Sequence, residues 1–441
     1  MPYSHTSWGE LKAALADRLG DPLMRWHNST ELGLYLADAM RTWALATGYW
    51  KERGVFATVN GTAFYALQTQ LAALLGHTVT DRNMIEMLQY HLLEPATSQV
   101  AWTGTEMYSF GQVVEAVRGS RDRLLYESGS VLSTRTEAMP APPINRVPLT
   151  DTVMDVRRAL WRNVAAVTRH LLWREDEWGL SAFLALWESS PQTPYAYSVT
   201  ATRPVELLVA PSPPVVGELE LVTVESGADL DPAVSATALG VPDNLAPVVK
   251  WGALVDLLRG DGQEADPTRA EVAEKRWNEG VELAKMAQVL IHANVAGNSV
   301  LPVSLFDLDA AYGSWQDTSG APVDLAIAGP NLLALRPVPD GVYAVTLDVA
   351  RNAPIPAADG EQVQLGREDT DPIIDLAEYL ALFKVGGAEL QAAEGRLRAF
   401  YEAASEHNAK LRANTLFADT IFRQPRREET DRPRRVEVAN E

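Results

Sequence analysis

Cysteine is absent from all 441 residues. That excludes disulfides, zinc–thiolate and iron–sulfur sites, and cysteine nucleophiles together. It suits a chain made in reducing cytoplasm, and equally a particle that later sits outside the cell. Basic residues are scarce: 38 Lys and Arg stand against 58 Asp and Glu, a formal net charge of −20. A general nucleic-acid binder needs a basic face to neutralise phosphate, so that class is disfavoured. No apolar run nears the roughly 18 residues that a membrane span needs. Met1-Pro2-Tyr3-Ser4-His5 carries neither a basic n-region nor an apolar h-region, so no signal peptide is expected. The seven histidines (His5, His27, His77, His91, His170, His292, His407) include no i, i+4 pair. There is no HExxH, no P-loop, no GxSxG elbow and no GxGxxG after a strand.

Hydrophobic content of 46% and charged content of 22% describe an ordinary globular chain. Its length predicts roughly two to four domains with a large core. Twelve Trp and 27 Pro are high counts. Trp is favoured both in cores and at interfaces, and both placements stay open here.

The second half contains one pattern twice. Leu207-Leu208-Val209-Ala210-Pro211 is followed by Gly217 and Leu219–Val224, then by the apolar stretch Val248–Arg259. Leu332-Leu333-Ala334-Leu335-Arg336-Pro337 is followed by Gly341 and Val342–Val349, then by Ile373–Lys384. The offset is 332 − 207 = 125 at the first strand and 373 − 248 = 125 at the helix. A longer amphipathic stretch follows each, at about 267–292 and 387–412. A repeated strand–strand–helix–helix unit without a catalytic constellation points to a scaffold or assembly part.

Capping signals place the N-terminal helices. Ser7-Trp8-Gly9-Glu10 opens one, and Asn28-Ser29-Thr30-Glu31 opens another on which Leu32, Tyr35, Leu36, Ala39, Met40 and Trp43 form one face. Gly48 ends it. Asn60-Gly61 between Val55–Val59 and Ala63–Leu67 predicts a β-hairpin. Asp81 and Ser109 cap further helices, and strands follow at 131–136, 145–149, 153–161 and 171–173, with a short helix at 178–187. The helix-then-two-strands order over 109–149 resembles that over 29–67, so the first half is read as duplicated too. Asp266-Pro267 and Asp371-Pro372 each predict an N-cap with proline at N1.

The expected fold class is α+β: a helical bundle of N- and C-terminal helices carrying inserted, duplicated β-rich modules. The expected divisions are a helical region with a hairpin at 1–125, a strand-rich connector at 126–200, the two repeats at 201–292 and 293–412, and an extended arm at 413–441. Core candidates are Leu11, Leu15, Leu32, Leu36, Met40, Trp43, Ile85, Leu88, Val113, Val117, Trp251, Leu254, Leu258, Leu376, Leu380 and Phe383. The tail after Phe422 is rich in Arg, acid and Pro, a composition that cannot bury a core on its own.

Signals for chemistry are weak. Asp307-Leu308-Asp309 would place two carboxylates on one strand face, and a hydrolytic, carbohydrate-active enzyme would use Asp307, Asp309 or Asp324. The acidic turns Asp359-Gly360-Glu361 and Asp261–Asp266 lack the ligand spacing of a calcium loop. No catalytic residue, metal or cofactor is expected. A repeat-built binding module is a further alternative.

Trp26 with the capped helix Glu31–Trp43, and Asp371–Gly387 with the long helix ending Asn408-Ala409-Lys410-Leu411, resemble the opening and closing helices of tailed-bacteriophage head-to-tail connector proteins. The resemblance covers about residues 7–60 and 365–441. The chain departs from it in length and in its central β-rich modules. The resemblance implies a virion protein of the phage neck, assembled in the host cytoplasm, and a cyclic ring of about twelve copies. Its partners would be the portal protein, a downstream neck or tail protein, and DNA only as passing cargo, with no membrane. The implied partner-binding arm holds Phe417, Phe422, Arg423, Arg426, Arg427, Arg432, Arg434 and Arg435, since aromatic and arginine side chains dominate such contacts.

Overall fold

A computed structural model describes residues 6–93, 107–139, 145–183, 187–188, 191–200, 205–260, 265–287, 289–295, 297–300 and 302–422, with side chains through 411. It shows an α+β protein built as one α/β unit inserted into a second copy of itself.

The inner copy is continuous. It runs α6 (Phe110–Ser128), β3 (Leu132–Met139), β4 (Arg146–Pro148), β5 (Val153–Asn163), β6 (Thr168–Arg174), α7 (Glu177–Phe183), β7 (Ala196–Val199), β8 (Glu206–Ala210), β9 (Gly217–Glu225), a 3₁₀ turn at Asp243–Leu245, α8 (Ala246–Leu258) and α9 (Pro267–Met286). The outer copy is split around it. Before it come α2 (Ser29–Thr47), β1 (Lys51–Ala57) and β2 (Phe64–Ala66). After it come β10 (Leu290–Val295), β11 (Asn298–Val300), β12 (Pro302–Ser304), α10 (Leu305–Ala311), β13 (Ser319–Gly320), β14 (Asp324–Gly329), β15 (Leu332–Arg336), β16 (Val338–Pro339), β17 (Ala344–Ala350), a 3₁₀ turn at Arg367–Asp369, α11 (Thr370–Val385) and α12 (Gly387–Phe422). Outside the repeat stand α1 (Trp8–Arg18), the short α3 (Leu67–Gln70) and α4 (Ala72–Leu75), and α5 (Asp81–His91).

Sheet topology carries the equivalence. The inner copy forms one seven-stranded sheet, β3-β9-β5-β6-β7-β8-β4. The outer copy forms two four-stranded sheets, β1-β17-β10-β11 and β12-β14-β15-β2. Strand for strand these match once β11 and β12 together stand for β6. The senses agree as well: β1·β17 and β3·β9 are antiparallel, as are β2·β15 and β4·β8, while β12·β14 and β6·β7 are parallel. The outer sheet breaks where Pro302 opens β12, a residue with no N–H to give a ladder. Helices α2 and α6 are both 19 residues long, are capped by Asn28 and Ser109, and end on left-handed Gly48 and Gly129. Their shared offset is 109 − 28 = 81 = 129 − 48. The 125-residue repeat is therefore the second part of a longer unit, and residues 29–66 and 110–148 supply its first part.

Several expectations need correction. Residues 126–200 are no separate connector, because β3 to β7 share a sheet with β8 and β9. Residues 293–412 do not close a unit alone, because β1 and β2 complete their sheets. The helix expected at 267–292 stops at Met286, and β10 follows. The hairpin at Asn60-Gly61 does not form. Gly61 turns with φ +78° and its N–H donates to Pro339 O at 2.8 Å, but the flanking strands enter different sheets. The full seven-residue ladder of β1 with β17 outcompetes local pairing. Asp81 is the first residue of α5, and Thr80 is the cap that exchanges bonds with Asn83. Helix α11 starts one residue before Asp371, out of the preceding 3₁₀ turn, so Asp371 is not its cap. Asp307 and Asp309 lie on helix α10, capped by Ser304, and not on a strand. Residues 413–422 continue α12 instead of forming an extended arm.

All sixteen core candidates named above are buried, and all belong to the helical cluster. There α11 packs on α12, α2 and α1, while α8 packs on α9 and α6. The halves meet where α2 of the outer copy touches α8 and the Asp243–Leu245 turn. Two smaller clusters fill the sheets, around Val345 and Leu347 in the outer copy and around Val156 and Trp161 in the inner. Of the Trp residues described, Trp8, Trp43, Trp50, Trp161, Trp187, Trp251, Trp277 and Trp315 are buried and Trp26, Trp173 and Trp178 are exposed, so most of this aromatic content is core.

Candidate functional site

The three carboxylates of the hydrolytic alternative each have a different structural partner. Asp309 accepts a two-pronged bond from Arg158, Nε to Oδ2 at 2.6 Å and Nη2 to Oδ1 at 2.7 Å, plus Trp315 Nε1 at 2.8 Å. Such fork-to-carboxylate geometry is the strong form of an ion pair. Asp307 accepts from Ser304 at the start of α10. Asp324 pairs with Arg336 at 2.9 Å within the β14–β15 ladder. Among the described residues no group of three or more His, Asp or Glu is placed to hold a metal. Phe417 and Phe422 fall within α12. Arg423, Arg426, Arg427, Arg432, Arg434 and Arg435 lie outside the described residues.

The Arg158–Asp309 bond is one half of a clamp between the copies. Arg158 sits on β5 of the inner copy, and Asp309 on α10 of the outer. Beside it Arg169, on β6, bonds Glu220 at 2.9 Å and Asp317 of the outer copy at 2.7 Å. Gln316 accepts from Arg158 at 3.0 Å. Arg158, Arg169, Glu220 and Gln316 line a cavity of about 350 Å³, and both arginines are matched to carboxylates. The bonds described here join the two copies.

A second junction is buried in the helical core. Lys250 on α8 is fully buried and donates through Nζ to Asp38 Oδ2 on α2. The same Nζ lies 3.2 Å from His91 Nε2 at the end of α5 and 4.5 Å from the Trp251 ring. Arg269 of α9 donates to the His91 carbonyl. Nearby, Glu31 accepts from Tyr35 and from Lys384 of α11, each at 2.8 Å. Burial lowers the Lys250 ammonium pKa, and the Asp38 carboxylate partly restores it. Burial also pushes the His91 imidazole well below its ordinary range, and Lys250, Arg269 and Lys384 push it further. Nothing local in the sequence flagged Lys250. It stands in an apolar helix, and its partner lies 212 positions away.

His91 makes the fold acid-sensitive. Its folded pKa is depressed, so below about 6.5 the unfolded chain takes up a proton that the native core refuses. The stability contribution is present above that pH and is lost as pH falls toward the folded value. The expected slope is about 1.4 kcal/mol per pH unit for this group. His27 and His77 are shifted the same way by burial, so the test is differential. Urea midpoints at pH 7.5 and 5.5 should fall further in the parent than in His91→Gln. Equal drops would remove His91 from the account.

A groove of about 690 Å³ opens where α2 and α9 end and α12 passes, with Asn408 and Leu411 on its wall. Ala46, Leu245, Leu283, Met286, Ile291 and Leu411 contribute to its apolar lining. Met286 and Ile291, on this groove, are 66% and 47% exposed. Among the described residues no helix is long and apolar enough to cross a membrane. No protein-family model matches the chain, and no curated protein matches it either.

Proposed function

We propose that the chain is a structural protein of the tailed-phage neck, forming a ring that joins portal to tail around the DNA path. One observation carries this: the helices bearing the connector resemblance pack together although they lie at opposite ends of the chain. α1 and α2 meet α11, and α2 meets α12, in one core. The β-rich units sit between them in sequence. This packing supports the reading of a helical connector core with an inserted, duplicated body.

On this reading the mechanism is geometric. The clamps at Arg158–Asp309 and Lys250–Asp38 make the two copies one rigid block. α12 continues past its tie at Asn408, whose Nδ2 donates to Ala46 O, through Phe422. A helix rises about 1.5 Å per residue, so Phe422 lies about 21 Å along the helix from that tie. The test is binding to purified portal rings, followed by light scattering and negative-stain imaging. Full-length chain should add a discrete layer beneath the portal, and chain truncated after Leu411 should add none. If neither form binds the portal and the chain is missing from purified virions, the neck assignment falls.

A further inference from the structure

We infer that the groove at the base of α12 receives the end of α12, residues 412–422, from a second copy of this chain. The groove is open, is lined by apolar side chains with polar ones such as Gln68, His77 and Asn331 among them, and lies where both copies of the unit and α12 converge. α12 itself is tied to the rim: Asn408 Nδ2 donates to Ala46 O at 2.9 Å, and Leu411 lines the groove. From Asn408 the helix continues unbroken to Phe422. At about 1.5 Å per residue, position 416 lies about 12 Å beyond that anchor and position 422 about 21 Å beyond it. A continuous helix cannot fold that end back into the groove it has just left. Another molecule's end can enter.

The sequence of that end matches the occupant the groove needs. Ala413, Leu416, Phe417 and Ile421 fall at i, i+3, i+4 and i+8, the spacing of one apolar helical face. A helix laid in an apolar groove is a common recognition mode, and flexible Met on the rim adapts to it. Lys51 on the lining suits Asp419 of the incoming helix. The contact is heterologous, since end and groove are different patches. It therefore propagates around a ring if the rotation closes. The portal-binding test removes this same segment, so the contact between copies is tested in the absence of portal, where its failure leaves the neck assignment to its own experiment.

The cysteine-free chain allows a clean test. Phe417→Cys and Met286→Cys are made separately in the full-length protein, mixed and oxidised. Met286 is exposed, so its replacement leaves the core intact, which circular dichroism checks. The mixture should give a reducible cross-linked dimer about tenfold above a control pair of Phe417→Cys with Val234→Cys, an exposed position outside the groove lining. In light scattering the full-length chain should self-associate, and Phe417→Asp should remain a monomer. Two results overturn the inference: cross-linking no better than the control, or a double Phe417→Cys/Met286→Cys chain that closes within one monomer.

Discussion

Asp38→Ala should lose about 3–5 kcal/mol of stability, the cost of removing one partner of a buried ion pair. The substitution strips the carboxylate from an ammonium with no exposure. What remains within reach of Lys250 is the imidazole of His91, which is held neutral, and the face of Trp251. Lys250 would then shed its proton, a direction that burial already favours. The paired change Asp38→Leu with Lys250→Met removes both charges at once. It should be neutral or more stable than the parent, because the desolvation of two ions no longer has to be offset. Urea unfolding of the single and double variants reads the difference. A single-variant loss under about 1 kcal/mol would mean that the junction is wet and weakly coupled. The pair joins α2 of the outer copy to α8 of the inner, so its loss should loosen the block that holds both sheets.

Trp43→Ala should cost a further, separate 3–5 kcal/mol or so, the usual range for an aromatic deleted from a packed core. Trp43 is fully buried on α2. Its ring centroid lies 5.6 Å from Phe400, 5.8 Å from His407 and 6.4 Å from Tyr49. Phe400 and His407 are on α12, so this ring pins the last helix to the body just before the groove. The effect should therefore be local as well as large. Amide protection should fall along 390–404 of α12 while β5, whose Val156, Ala159 and Trp161 lie in a different cluster, keeps its own. Uniform loss across both regions would show that Trp43 supports the whole fold and does not specifically anchor α12. Trp43→Phe retains much of the contact and should retain most of the stability.

The sequence by itself determined the helices and their buried faces. Caps at Ser7, Asn28 and Ser109, and the three-and-four spacing of Leu32, Leu36, Met40 and Trp43, act over one or two turns, and tertiary packing agreed with them. It also determined the 125-residue repeat, because duplicated units keep their order and spacing. Tertiary structure decided the rest. Which strands pair is a contest between a near neighbour and a distant ladder, so Asn60-Gly61 became a corner between sheets. Because the second unit is split by the first, β1 finds β17 nearly 300 positions on, a pairing that no local pattern encodes. The polar junctions were hidden for the same reason. Lys250 and Asp38, or Arg158 and Asp309, are ordinary charges until folding removes water around them and brings each pair together.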